Sequence, residues 1–153
     1  LYVFIVSAVW LNYSRAVALR ILLGLALSVA AADTCSSRLI KPSVARLRPC
    51  NDPELKAFAT LRAPCGTGYS FTSSHATNHF AVAVFLVGFF GAIRAWLRWA
   101  LLFWAASVAF AQVYVGVHYP LDVICGALLG LLIGRLMYRL ARASLPRAPN
   151  PAP

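Results

Sequence analysis

Apolar residues in this chain fall into long blocks separated by short polar islands. Residues 1–11 form an apolar block about 15 Å long as a helix, roughly half a bilayer. It lacks the basic start and small-residue cleavage site of a signal peptide, and reads as the tail of a spanning helix that begins further upstream. Four further blocks follow. Residues 17–36 carry charge only at Arg20 and Asp33, near the ends; residues 80–93 are apolar. Residues 95–117 are interrupted only by Arg98, Ser107 and Gln112. Residues 120–140 open on Pro120, which suits a first helical turn, and stay largely apolar to Ile133. The pattern predicts an all-α, multi-pass transmembrane helical bundle lacking its first span or spans. It forms one domain over 1–143, followed by a disordered cytoplasmic Pro/Arg tail over 144–153.

The polar stretch 38–74 contains Pro42, Pro49, Pro53, Pro64, Gly66 and Gly68, residues that break helices and favour turns. A surface loop of this length points to function. Counting crossings places its two ends on one side of the membrane. Two crossings later the chain reaches His118 and Asp122 on that same side. The islands holding Lys41 to Pro49, Ser73 to His75, and His118 to Asp122 therefore meet at one membrane face.

Composition supports the membrane class. Of 153 residues, 61% are hydrophobic and only 12% charged, with mean hydropathy +0.74; soluble domains carry about 25% charged residues. The net charge of +10 raises nucleic acid as a partner, but the basic residues are dispersed between apolar blocks and mark orientation better than a polar face. One face collects Arg15, Arg20, Arg94, Arg98, Arg135, Arg139, Arg142 and Arg147 without an acid. The positive-inside rule makes that face cytoplasmic and turns the islands outward, toward a periplasm, exterior or lumen. In the last block Gly126, Gly130 and Gly134 lie at i, i+4 spacing with Asp122, a stripe that lets helices approach closely and turns Asp122 inward.

The islands carry chemistry suited to phosphate. A phosphate ester needs positive charge around its oxygens, an in-line nucleophile and an acid for the leaving oxygen. Lys41 supplies charge, and Arg48 a planar fork for two oxygens. Ser73 and Ser74 precede a helix start, where backbone N–H groups favour an anion. In His118-x3-Asp122 the carboxylate can hold one imidazole nitrogen while the other faces phosphorus. The bland readings are an anchoring cluster, a plain N-cap, and a surface histidine beside an acid favoured by the helix dipole. Tyr119-Pro120 breaks the helix and is expected to expose His118 on a turn. His79 reads as a polar packing residue. A metal site from His75, His79 and Asp122 is disfavoured, because Lys41 and Arg48 would repel a cation.

The order and spacing of these islands resemble the type 2 phosphatidic acid phosphatase family, which shares its site with bacterial acid phosphatases and vanadium haloperoxidases. That family's signature is K-x6-RP, then PSGH, then SR-x5-H-x3-D. Here the first reads Lys41 to Pro49, the second Thr72-Ser73-Ser74-His75, and the third Ala111-Gln112-x5-His118-x3-Asp122. The resemblance spans about residues 15–140. It implies a helical bundle, normally of six spans in membrane members, and a reaction needing no metal or other cofactor. His118 would be the nucleophile, Asp122 its orienter, and His75 the acid for the leaving group and later the base for water. Lys41, Arg48, Ser73, Ser74 and Gln112 would line the phosphate. Gln112 replaces the family's arginine and brings hydrogen bonds without charge; Arg46 or Arg62 is a candidate to supply the missing charge.

The resulting expectation is a lipid phosphate or diphosphate phosphatase of the bacterial inner membrane, working at the outward face. Its substrate partner would be a membrane phospholipid or isoprenyl phosphate: phosphatidic acid, phosphatidylglycerol phosphate, an isoprenyl diphosphate or a lipid A phosphate. The alternatives are a noncatalytic phospholipid-headgroup binder or flippase-like member weakened at Gln112, and an ion or proton transporter, which the one-sided clustering disfavours. Cys50 and Cys65 share the outward loop, where a disulfide could persist. Cys35 could compete for that pairing, and Cys125 reads as inert packing.

Overall fold

The structure is a computed structural model describing residues 2–58, 60–90 and 95–145. Arg94 and Arg147 of the arginine-only face, the end of the 80–93 block and most of the 144–153 tail lie outside the described residues. Every regular element among the described residues is helical: α1 (Tyr2–Asn12), α2 (Arg15–Asp33), α3 (Lys41–Val44), α4 (Ser74–Phe90), α5 (Ala95–Tyr114) and α6 (Pro120–Ala143), with a π-helical segment, Thr34–Ile40, joining α2 to α3. Arg15–Val44, Ala95–Tyr114 and Pro120–Ala143 are each long and apolar enough to cross a membrane. The chain is thus an all-α transmembrane bundle, as the block pattern predicts.

The first boundary differs from expectation. The second block does not give way to loop at residue 38; helix continues through the π segment to Val44, placing Lys41 on the helix. Pro42 lies just after the π segment, so its missing N–H falls inside a continuous helix rather than at a free first turn. The π segment directly ahead widens the turn, a deformation that often marks functional sites. Ala45 then adopts a left-handed conformation, φ 51°, with its N–H on the Lys41 carbonyl at 2.9 Å. This C-terminal turn directs Arg46 and Arg48 back over the bundle end.

Helix α4 is central and packs on α2, α5 and α6. Its buried side chains, Phe85, Leu86 and Phe89 among them, join Ile21 of α2 and Leu101 of α5 in one apolar cluster. Van der Waals packing dominates here, since lipid offers little hydrophobic drive for helix association. The glycine stripe of α6 lies directly on α4. A Cβ added at Gly126 would stand 2.7 Å from the Ser73 carbonyl oxygen, and one at Gly134 2.5 Å from that of Ala81. At Gly130 the added carbon would collide with the Thr77 carbonyl. Because the obstacle is backbone, no rotamer relieves it. Gly130→Val is therefore expected to cost about 1–3 kcal/mol by overpacking, read as a lowered thermal unfolding midpoint in detergent. An unchanged midpoint would show that the α4–α6 contact does not need glycine there.

At the opposite end of the bundle from the π segment, Arg20 of α2 donates to the Ser144 carbonyl beyond α6 at 3.2 Å. This contact ties the start of α2 to the end of α6 on the arginine-only face.

Candidate active site

The three polar islands converge at one end of the bundle. Arg46 reaches Asp122 at 3.0 Å, and Arg48 donates from Nη1 to the His118 Nε2 at 3.2 Å. Ser73 donates its backbone N–H to the Asp122 carbonyl at 3.0 Å, tying the start of α4 to the start of α6.

Arg48 fixes the protonation of His118. A guanidinium carries only donors, so Nε2 must present its lone pair and Nδ1 carries the proton. That proton faces Ser70 Oγ at 3.3 Å, while Asp122 Oδ2 stands 3.5 Å from Nδ1. Ser70 in turn donates a short hydrogen bond to Asp122 Oδ2. The carboxylate thus holds the imidazole chiefly through Ser70, since 3.5 Å is at the limit of a direct bond. Ser70 has no sequence signal, because it lies in the loop at no motif position. Asp122 also accepts from the Tyr119 N–H at 3.0 Å and is fully buried.

His118 is not exposed on its turn; it retains 3% of its accessible surface. Pro120 does not end a helix: α5 stops at Tyr114, ahead of His118, and Pro120 opens α6, while the turn between them folds back beneath the loop. The N–H groups of Val117 and His118 return to the Gln112 carbonyl, each at 3.2 Å, and Ser70 and Arg48 cover the ring. Burial pushes the imidazole below its ordinary value near 6.5, and the Arg48 and Lys41 charges push the same way, against the pull of Asp122. Neutral imidazole therefore persists below pH 6.5 and is lost only as pH falls further. Nitrogen NMR of labelled histidine in micelles should show His118 titrating below 6.5. In Arg48→Ala, loss of one repelling charge should move that titration upward. No upward movement would remove Arg48 from the environment of the ring.

Arg48 is itself held by the loop: Nε donates to the Gly68 carbonyl at 3.0 Å and Nη1 to that of Val117 at 3.3 Å. Cys50 and Cys65 form a disulfide with Cα atoms 6.1 Å apart, joining the chain just after Arg48 to the chain just before Gly66. Cys35 and Cys125 are free thiols. Lys41 Nζ donates to the Tyr69 carbonyl at 2.7 Å, on the same loop. His75 lies within electrostatic range of His118, Arg48 and Lys41.

Several expected phosphate contacts are arranged differently. The Ser73 N–H is occupied by Asp122, and its hydroxyl accepts from the Ala76 N–H at 3.4 Å as a helix cap. The Ser74 hydroxyl pairs with Ser36 and Ser37, each at 2.9 Å. The first helix bond of α4, Thr77 N–H to the Ser73 carbonyl at 3.0 Å, leaves the Ser74 and His75 amides outside the helix ladder and available to an anion. The two candidate substitutes for the missing arginine both have partners within the fold. Arg46 is bound to Asp122 and lies 3.8 Å over the Tyr119 ring, and Arg62 bonds the Tyr114 carbonyl at 3.0 Å and stacks on that ring. Gln112 is seen to act through its backbone carbonyl. His79 packs against Trp104, ring centroids 4.9 Å apart, and bonds the His75 carbonyl at 2.8 Å.

Fold and site together define a membrane helical bundle with a buried, cation-faced histidine at one end. The model of the PAP2 superfamily matches residues 17–145, and the chain belongs to that superfamily. A lipid A 4'-phosphatase of Bacteroides thetaiotaomicron is 33% identical over 144 residues, 93% of this chain and 63% of that protein. A lipid A 4'-phosphatase of Porphyromonas gingivalis is 34% identical over 116 residues, 74% of this chain and 48% of that protein. An undecaprenyl-diphosphatase of Sulfolobus acidocaldarius is 38% identical over 102 residues, 63% of this chain and 44% of that protein. The chain thus spans between about half and two-thirds of the length of the first two relatives. The crystal structure of a PAP2 type phosphatidylglycerolphosphate phosphatase from Bacillus subtilis superposes with TM-score 0.63 at 24% identity, covering 94% of this chain and 68% of that one, and supports the fold.

Proposed function

We propose that the protein is a membrane phosphatase that hydrolyses a lipid phosphate through a phosphohistidine. The observation that carries this reading is the orientation of His118. Its Nε2 lone pair faces the Arg48 guanidinium, and its Nδ1 proton is held by Ser70 and Asp122. A phosphate drawn to Arg48 and Lys41 would bring phosphorus to Nε2. Attack forms the P–N bond and breaks the P–O ester bond, and protonated His75 gives its proton to the leaving oxygen. Water then attacks phosphorus, His75 takes its proton, and the P–N bond breaks to release inorganic phosphate. The charge needed in the transition state comes from Lys41, Arg48 and the free amides of α4, so the chemistry asks for no metal.

The lipid tails would remain in the bilayer while the headgroup enters the site. Arginine placement supports an outward, periplasmic orientation in a bacterial inner membrane. Candidate substrates follow the relatives: a lipid A phosphate, an undecaprenyl diphosphate or phosphatidylglycerol phosphate. Gln112 favours one competing reading, a headgroup binder without turnover. The test is phosphate release from these lipids in detergent with chelator present, together with trapping of acid-labile labelled phosphate on the protein. Release and trapping are expected. Binding without release would favour the binder, and release abolished by chelator would overturn the metal-free chemistry.

A further inference from the structure

Three cations stand near His118, and they are not placed alike. Arg48 and Lys41 are seen bonded to loop carbonyls and, for Arg48, to the His118 ring; neither is seen bonded to the Asp122 carboxylate. Arg46 is the arginine seen paired with that carboxylate, Nη1 to Oδ1 at 3.0 Å, from a side chain that is 35% exposed to one that is wholly buried. Its guanidinium lies 3.8 Å over the Tyr119 ring, whose hydroxyl donates to Asp52 Oδ2 at 3.1 Å. Asp52 is fixed in turn: its Oδ1 accepts from the Glu54 N–H at 3.0 Å, and its own N–H donates to the Arg48 carbonyl at 2.9 Å. The Arg46 carbonyl accepts from the Ser70 N–H at 2.8 Å. Arg46 thus touches both groups that hold the His118 Nδ1 proton, Asp122 through its side chain and Ser70 through its backbone. Position 46 falls among the six unspecified residues of K-x6-RP, and the phosphate chemistry does not use it.

We propose that Arg46 is a positioning residue that acts on the reaction only through Asp122. The inference rests on the phosphatase reading. A buried carboxylate needs a paired charge and filled hydrogen bonds. Arg46 brings the charge to Oδ1 from the solvent side, and the Tyr119 ring, itself tied to Asp52, fixes the guanidinium plane. Oδ2 is left to Ser70 and His118, where its negative charge stabilises the imidazole as phosphorus bonds to Nε2. The pairing also keeps Asp122 from drawing Arg48 off the Nε2 side, so that Arg48 and Lys41 serve the phosphate. For Arg46 to bind phosphate itself, it would have to leave both the carboxylate and the ring.

The experiment measures kcat and KM in detergent on whichever of a lipid A phosphate, undecaprenyl diphosphate and phosphatidylglycerol phosphate wild type cleaves fastest. The variants are Arg46→Gln, Arg46→Lys, Asp122→Asn, and Arg46→Gln combined with Asp122→Asn. Arg46→Gln should lower kcat about 10- to 100-fold, the cost of losing a group that orients another, and leave KM within about twofold. Arg46→Lys keeps the charge without the fork and should recover part of that loss. Added to Asp122→Asn, Arg46→Gln should cost nothing further, because a residue that works only through the carboxylate has nothing left to position. The glutamine carbonyl can also accept from the introduced amide. Nitrogen NMR should show His118 titrating higher in Arg46→Gln, since the Asp122 charge that raises it has lost its counter-charge. Losses that multiply in the double variant would make Arg46 a structural residue and overturn the proposal. A raised KM with kcat unchanged would make it a phosphate ligand and do the same, as would an unmoved His118 titration. If wild type releases phosphate from none of the three lipids, the phosphatase reading fails first and takes the role of Arg46 with it.

Discussion

His118→Ala should lower phosphate release on the order of 10⁴-fold or more. In the proposed mechanism the imidazole Nε2 would bond phosphorus, and no other nitrogen lone pair is seen facing Arg48 among the described residues. The clamp of Lys41, Arg48 and the α4 amides would survive, so headgroup binding should change little and the loss should fall on kcat. Labelled phosphate should no longer be trapped on the protein. Because His118 is buried and bonded to Ser70 and Arg48, the alanine variant could also loosen the site. His118→Gln keeps a polar group beside Arg48 and separates the two effects. It should unfold near the wild-type midpoint and remain inactive. Activity retained in either variant would sink the nucleophile assignment.

The sequence made the convergence of the islands legible, because crossing number is set by the lengths of apolar blocks. Lys41, Arg48, His118 and Asp122 do meet, and the stripe from Asp122 to Gly134 does face α4. What could not be read depends on contacts between distant segments. Ser70 bonds His118 and Asp122 across 48 and 52 residues, and a loop serine at no motif position gives no periodic signal. The burial of His118 was also hidden. Pro120 predicts a break in the helix, but whether the turn then meets solvent depends on the loop folding over it. The extra helical turns to Val44 were masked by Lys41, Pro42 and Ser43, which read as loop residues. Arg46 illustrates the same limit: its charge is plain in sequence, but its commitment to Asp122 rather than to phosphate depends on tertiary geometry.

Asp122→Asn should cost on the order of 10³- to 10⁴-fold in kcat, nearly as much as loss of the nucleophile, although the change is isosteric. Every side-chain or backbone group seen facing this carboxylate is a donor: Arg46, the Ser70 hydroxyl, the Tyr119 N–H and the His118 Nδ1 proton. The Oδ2 position takes three of them, the Ser70 hydroxyl, the Tyr119 N–H and the His118 Nδ1 proton, and the Oδ1 position takes Arg46 alone. The introduced amide therefore puts its oxygen at Oδ2 and sets its nitrogen, a donor, against the Arg46 donor. Arg48 still holds the Nε2 lone pair, so the tautomer survives. What is lost is the negative charge that would stabilise the imidazole as positive charge develops on it. Ser70→Ala should be milder, about 10- to 100-fold, because the carboxylate charge remains and can reach Nδ1 after a small ring movement. Nitrogen NMR of labelled histidine distinguishes the two variants directly. Asp122→Asn should move the His118 titration downward, because the carboxylate that raises it is gone, and Ser70→Ala should move it less. No downward movement in Asp122→Asn, or activity within about tenfold of wild type, would reduce Asp122 to an anchor for Arg46.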